Sequence, residues 1–198
     1  MPDPSRAVPE AIGRREEEAD ALLVRQFAQG DAAAFDRLVG RHQGSVARLA
    51  HRLLGWSEDP ADVVQEVFVA VLTKLGEFRG ECRFSTWLTA ITVNKCRHVR
   101  RQRFLRLAFL RRAKSEAVAA AAGPGVSEEL GPEALDRVRR AIRALPARHR
   151  EVVVLRYLEE MPVAEVSRAL GISTHAADMR LHRARGRLRE ALSDLVEE

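Results

Sequence analysis

The sequence predicts an all-α chain of two small helical domains joined by a flexible linker, the second containing a helix-turn-helix. Three observations carry this prediction. Apolar residues recur at three- and four-residue steps almost throughout, and no stretch alternates with period two for long enough to form a strand. Between Ser115 and Pro132 the chain becomes rich in Ala, Gly and Pro, the composition of a linker. Near residue 170 a short apolar helix pattern ends in Leu170-Gly171-Ile172-Ser173, a stop followed at once by a capping residue.

Residues 1–14 hold three of the eight prolines and no periodicity, and read as a frayed tail. A first domain is expected over 15–114. Leu22, Leu23 and Phe27 open it, and Gly30 ends their helix. Asp31 then caps a long amphipathic helix through Phe35, Leu38, Val46, Leu49 and Leu53. Asp59-Pro60 starts a third helix with Val63, Val64, Val67, Phe68, Val71, Leu72 and Leu75 as its apolar stripe. A glycine-bracketed loop from Gly76 to Phe84 follows, and Ser85 caps a fourth helix running into a basic stretch. The linker spans 115–132, and a second domain of four helices fills 133–195. Its last helix places Ala177, Leu181, Ala184, Leu188, Leu192 and Leu195 on one stripe.

Composition excludes several classes. The chain has 198 residues, 46% apolar and 31% charged, which argues against wholesale disorder. Two cysteines, Cys82 and Cys96, are too few for a disulfide scaffold or a four-ligand zinc site, and read as small buried or surface residues. No apolar run approaches the roughly 20 residues needed to span a bilayer, and the N-terminus lacks the pattern of a signal peptide. These features predict a soluble cytoplasmic protein. With no phosphate loop, metal spacing or nucleophile motif, no catalytic residue, metal or cofactor is expected, and the chain reads as a non-enzyme.

Charge points to a polyanion. Residues 61–122 carry 12 basic and 5 acidic side chains, whereas the flanks together are slightly acidic. From Lys95 to Lys114 there are nine basic residues and no acid. A second acid-free stretch, Arg180 to Arg189, holds five arginines. Helix faces that merely stabilise themselves mix signs, whereas uniform ones suit phosphates. In the helix-turn-helix, Ser173, Thr174, His175, Asp178, Met179, His182 and Arg183 are the candidates for reading DNA in the major groove.

The stretch Ala144-Leu145-Pro146-Ala147-Arg148-His149-Arg150-Glu151-Val152-Val153-Val154-Leu155-Arg156-Tyr157, with the helix-turn-helix and Arg180-Leu181-His182-Arg183-Ala184-Arg185, resembles the C-terminal domain of extracytoplasmic-function sigma factors. In the first half, Asp62-Val63-Val64-Gln65-Glu66-Val67-Phe68 resembles that family's polymerase-binding helix. Phe78-Arg79-Gly80-Glu81-Cys82-Arg83-Phe84-Ser85-Thr86-Trp87-Leu88 resembles its −10-reading loop and helix. The resemblance implies a factor that binds core RNA polymerase through Asp62, Gln65 and Glu66. It implies −10 contacts from Phe78, Arg79, Arg83, Phe84, Asn94, Arg97, Arg100 and Arg101, and −35 contacts from the helix-turn-helix residues. Promoter DNA, core polymerase and an anti-sigma factor on a separate chain are the implied partners, with no direct membrane insertion.

Two physical expectations accompany it. Asp62, Gln65 and Glu66 at i, i+3, i+4 form an acidic polar patch of no use for DNA. The Phe78–Phe84 loop, with phenylalanines that can wall a pocket beside a basic helix, suits capture of an unstacked base. Asp178 departs from the family, which commonly has Lys or Arg there (and Thr at Ala176); an aspartate can accept from a cytosine amino group.

The 18-residue linker spans about 23 Å as a coil, while promoter elements roughly 17–24 base pairs apart are separated by some 60–80 Å. The domains therefore reach both elements only when held apart. A free chain is expected to bind DNA weakly, and can fold its domains together and bury both DNA faces. The competing reading is a stand-alone helix-turn-helix transcriptional regulator, which leaves the acidic patch and the 76–84 loop unexplained.

Overall fold

The computed structural model describes the backbone of residues 4–56, 59–113 and 132–193, with side chains for 15–56, 59–106, 109 and 133–193. Every regular element among them is helical. The first helix, α1 (Pro4–Ala28), begins well before the expected position, because the backbone is already helical over most of the segment read as a frayed tail. Apolar periodicity could not find this part. Pro4 stands at the first helical position, where proline is tolerated, and Arg14-Arg15-Glu16-Glu17-Glu18-Ala19 is strongly helix-forming without an apolar stripe.

Gly30, with φ 98°, turns the chain into α2 (Ala32–Leu54). Asp31 caps that helix as expected, accepting from the Ala33 amide. Gly55 ends it in the left-handed conformation, φ 87°. Asp59 accepts from the Ala61 amide at 2.9 Å, so α3 (Ala61–Lys74) starts one residue after the proline. A single 3₁₀ turn, Leu75–Glu77, leads into the loop. Helix α4 (Phe84–Ala113) then begins one residue before its expected Ser85 cap. Helices α2, α3 and α4 pack against one another around Leu38, Leu53, Val67, Val71 and Val93. Buried Asp20 ties α1 to this unit, accepting from Arg41 and bonding His42, each at 2.9 Å.

The described residues of the linker reading reduce to Pro132, where α5 (Pro132–Ala144) starts; the rest of 115–132 lies outside them. Helix α6 (Ala147–Val153) runs into a π-helical segment, Val154–Leu158. Helices α7 (Val163–Leu170) and α8 (Thr174–Ala191) complete the second domain.

The two domains share one hydrophobic core cluster. Polar contacts rim the seam. Glu151, only 2% exposed, pairs with Arg97 at 2.7 Å and with Arg100, both on α4. Arg52 donates to the Leu158 carbonyl and to Glu159 at 2.8 Å, and Thr86 donates to Glu165 at 3.0 Å. Arg150 reaches the Leu53 carbonyl at the C-terminal end of α2, where a cation meets the negative end of the helix dipole. Burial of Arg150 lowers the pKa of its guanidinium, with Arg100 and Arg143 adding repulsion.

Candidate nucleic-acid and polymerase interfaces

On α3 the core side chains Val63, Val67 and Val71 point inward, and Asp62, Gln65 and Glu66 are exposed on the opposite side. The exposed strip continues in apolar residues: Val69 is 63% and Leu72 47% exposed. At 100° per residue, these five positions fit an arc of about 120°. Leu72 was expected in the buried stripe; its position one step off the Val63–Val67–Val71 row turns it outward. The face thus combines carboxylates with bare aliphatic surface, a mixture suited to a protein partner and unsuited to DNA. Lys95 of α4 meets Glu66 at 3.3 Å, leaving Asp62 as the more available charge.

The loop beyond α3 folds around aromatic rings. Phe78 lies 5.2 Å from Trp87 and 5.8 Å from Phe84, edge-on to the latter. Gly80, with φ 72°, supplies the turn that brings the loop back. Glu77, Phe78, Arg79, Glu81, Cys82 and Trp87 line an open cavity of about 300 Å³. Its aromatic wall offers a stacking surface, Arg79 a donor, and Glu77 with Glu81 acceptors.

Two residues predicted in this set lie elsewhere. Phe84 is 4% exposed and packs in the core against His42, because it opens α4 on the helix's inward side. Arg83 pairs with Glu17 of α1 and with Glu165 of α7 at 3.6 Å, and does not line the cavity. Trp87 is partly buried against the core and also joins Phe78 as a cavity wall. Glu77 and Glu81 were missed, since nothing in a one-dimensional pattern marks a loop carboxylate as facing a cavity.

Along α4, Asn94 is exposed and accepts from Arg97 at 3.3 Å. Arg97 and Arg100 both face Glu151, and the hydrogen bond to Glu151 raises the pKa of Arg97. Arg101 is exposed. The basic face is therefore split: part is held by the second domain and part is open. Burial raises the pKa of Cys82 and pushes the Cys96 thiol up to about 12, so neither sits in an environment that favours the reactive thiolate.

The helix-turn-helix has the geometry read from its sequence. Gly171 terminates α7 with φ 65°, Ile172 packs against the core, and the Ser173 hydroxyl accepts from the Ala176 amide at 3.1 Å. Ala177, Leu181 and Ala184 of α8 are buried. Thr174, His175, Asp178, Met179 and His182 fall within an arc of about 140° on the other side of the helix, and Ser173 and Arg183 flank it; all seven are exposed. With the domains packed together, the two faces expected to meet DNA are therefore not both buried. This packing engages Arg97 and Arg100 and leaves the α8 face open.

The described residues thus join an acid-and-aliphatic exposed face on α3 and an aromatic-lined cavity to a helix-turn-helix. Comparisons with known proteins place this arrangement in a family. The family model "Sigma-70 region 2" matches residues 38–104, and "Sigma-70, region 4" matches residues 135–188. The ECF RNA polymerase sigma factor SigM of Mycobacterium tuberculosis is 33% identical, the match covering 98% of this chain and 96% of that protein. RNA polymerase sigma factor CnrH of Cupriavidus metallidurans is 37% identical over 87% of this chain and 93% of its own. A structure of CnrH in complex with the cytosolic domain of CnrY superposes with a TM-score of 0.64 at 32% identity, covering 89% of this chain and 98% of that one. A structure of the sigma factor RpoE in complex with the anti-sigma factor NepR from Bartonella quintana shares the fold, with a TM-score of 0.67 at 20% identity over 80% of this chain and 96% of that one. The chain belongs to the extracytoplasmic-function sigma factors of the sigma-70 family, and its function is that of an RNA polymerase sigma factor. Among the described residues no helix is long and apolar enough to cross a membrane.

Proposed function

We propose that the chain docks on core RNA polymerase through the α3 face and directs initiation at promoters whose −10 and −35 elements are read by the two domains separately. In this reading Asp62, Gln65 and Glu66, with Val69 and Leu72, contact the polymerase. Phe78, Arg79 and Trp87 hold an unstacked −10 base, backed by Phe84. Asn94, Arg97, Arg100 and Arg101 serve the same element, joined by Arg83 once it leaves Glu165. The α8 residues Ser173, Thr174, His175, Asp178, Met179, His182 and Arg183 read the −35 element. The chain acts in the cytoplasm as an initiation factor without chemistry of its own. By analogy with the RpoE relative, a separate anti-sigma chain restrains it.

The observation that carries the reading is the joining, in one three-helix unit, of an acid-and-aliphatic docking face on α3 to an aromatic cavity at the start of α4. A DNA-binding regulator that works without polymerase needs neither. Size-exclusion co-elution with bacterial core RNA polymerase tests it, with a Gln65→Ala, Glu66→Lys double variant alongside. Wild type is expected to co-elute and the variant to separate. Failure of the wild type to co-elute, together with tight sequence-selective duplex binding by the chain alone, would replace this reading with a stand-alone regulator.

A further inference from the structure

Among the described residues of α4 the last fully buried side chain is Cys96, and Val99 is the last that packs against the core, yet the helix runs to Ala113. On this projecting end Phe104 is 72%, Leu105 56% and Phe109 74% exposed. Arg101 and Arg106 are exposed between and beside them, and neither is paired with a carboxylate among the described residues. At 100° per residue Phe104, Arg101, Leu105, Phe109 and Arg106 fall in that order around an arc of about 200°.

Large exposed aromatics are costly to keep in water and call for an occupant. The charge around them restricts its class. No acid lies between Lys95 and Lys114, so an acidic surface is attracted and a basic one repelled. Aromatic platforms interleaved with guanidiniums are the combination that holds unpaired nucleic acid: bases stack on the rings while phosphates meet the cations. A duplex hides its base faces and leaves the rings unused.

We propose that the projecting end of α4 is a second single-strand DNA contact, in which Phe104 and Phe109 stack on unpaired bases and Arg101 and Arg106 hold the intervening phosphates. It rests on the reading that α4 faces melted promoter DNA and extends that reading from Arg101, the last residue of the −10 set, to Phe104, Arg106 and Phe109, which lie outside it. From Trp87 to Phe104 the helix rises about 25 Å at 1.5 Å per residue. That equals the length of roughly seven stacked nucleotides at about 3.4 Å each. One strand seated in the loop cavity can therefore run along α4 to its tip. Both rings are exposed with the domains closed, so the contact is open to test in the free chain.

The test is fluorescence anisotropy of the full chain with a labelled 15-nucleotide single strand, comparing wild type, Phe104→Leu/Phe109→Leu, Phe104→Tyr/Phe109→Tyr and Arg101→Ala/Arg106→Ala. Stacking on two rings predicts at least a tenfold loss for the leucine variant with the salt slope unchanged, and near-wild-type binding for the tyrosine variant. The arginine variant is expected to show a shallower salt slope. These side chains touch no core, so circular dichroism and melting midpoints should match wild type. Equal affinity of the leucine variant and wild type overturns the proposal, as does absence of any wild-type binding at low salt. Binding to phosphatidylglycerol vesicles in place of the strand, lost in the leucine variant, overturns it in favour of a lipid surface. Phe78→Ala, run in parallel, reports on the loop cavity alone, so failure at the tip and failure of the −10 reading are read separately.

Discussion

The Glu151 carboxylate on α6 lies 2.7 Å from the Arg97 guanidinium on α4, 54 residues earlier in the chain, and it is almost completely shielded from water. Its other oxygen accepts from Arg100. An internal anion thus occupies two cations that the −10 reading assigns to DNA phosphates. Glu151→Gln removes the charge and keeps the shape. Loss of one member of a buried charge cluster, part of it solvent-screened, is expected to cost about 1–3 kcal/mol. Small-angle scattering should show a larger radius of gyration for the variant, and an unchanged radius would show that apolar contacts alone close the chain.

Val69 tests the docking face without touching charge. Because the side chain is 63% exposed, Val69→Asp should leave the melting midpoint where it is. Co-elution with core polymerase should nevertheless weaken by about tenfold or more, the effect of a desolvated carboxylate at the centre of an interface. Retained co-elution would move the interface off this part of α3.

Asp178 sets an expectation for the DNA sequence. Exposed near the start of α8, its carboxylate accepts but cannot donate, so it favours a cytosine amino group and repels phosphate. Asp178→Ala should relax preference at one −35 base pair by about 1–3 kcal/mol. Selection from a randomised duplex library with each protein will show whether any single position loses its bias.

His149 gives a pH dependence. It is 3% exposed, and neither ring nitrogen has a hydrogen-bond partner among the described residues. Burial lowers its pKa, with Arg148, Arg187, Arg183 and Arg180 pushing the same way. A depressed value in the folded state means the neutral ring is the stable form. Its stability contribution is present above the unfolded value near 6.5 and is lost as pH falls through the lower folded value. Chemical denaturation between pH 5 and 8 should show wild type losing stability on acidification and His149→Leu losing less.

Gly171 carries φ 65° with open space where a Cβ would stand, so strain alone opposes substitution. Gly171→Ala should cost about 1 kcal/mol and lower the melting midpoint of a chain this size by about 2–4 °C. A larger fall would point to a contact beyond backbone strain.

Short-range features of this molecule were legible in its sequence. Asp31, Gly55, Gly171 and Ser173 act within a few residues of themselves, so their types declare their roles. The outward placement of Asp62, Gln65 and Glu66 followed from helical periodicity for the same reason. What sequence could not supply depends on which element packs where. The resemblance implies −10 contacts from Arg83 and Arg97, but only packing shows that α7 and α6 bring Glu165 and Glu151 beside them. Phe84 looks like a loop aromatic until the start of α4 turns it inward. The early start of α1 escaped because propensity, not an apolar stripe, carries it.

The exposure of α3 has a kinetic meaning. Asp62, Gln65, Val69 and Leu72 stand clear of the second domain while the chain is closed. In the proposed reading the polymerase can therefore capture the closed form directly and open it afterwards, an induced-fit order of events. Association would then scale with polymerase concentration without a ceiling set by spontaneous opening, and the slow step would fall after the first encounter.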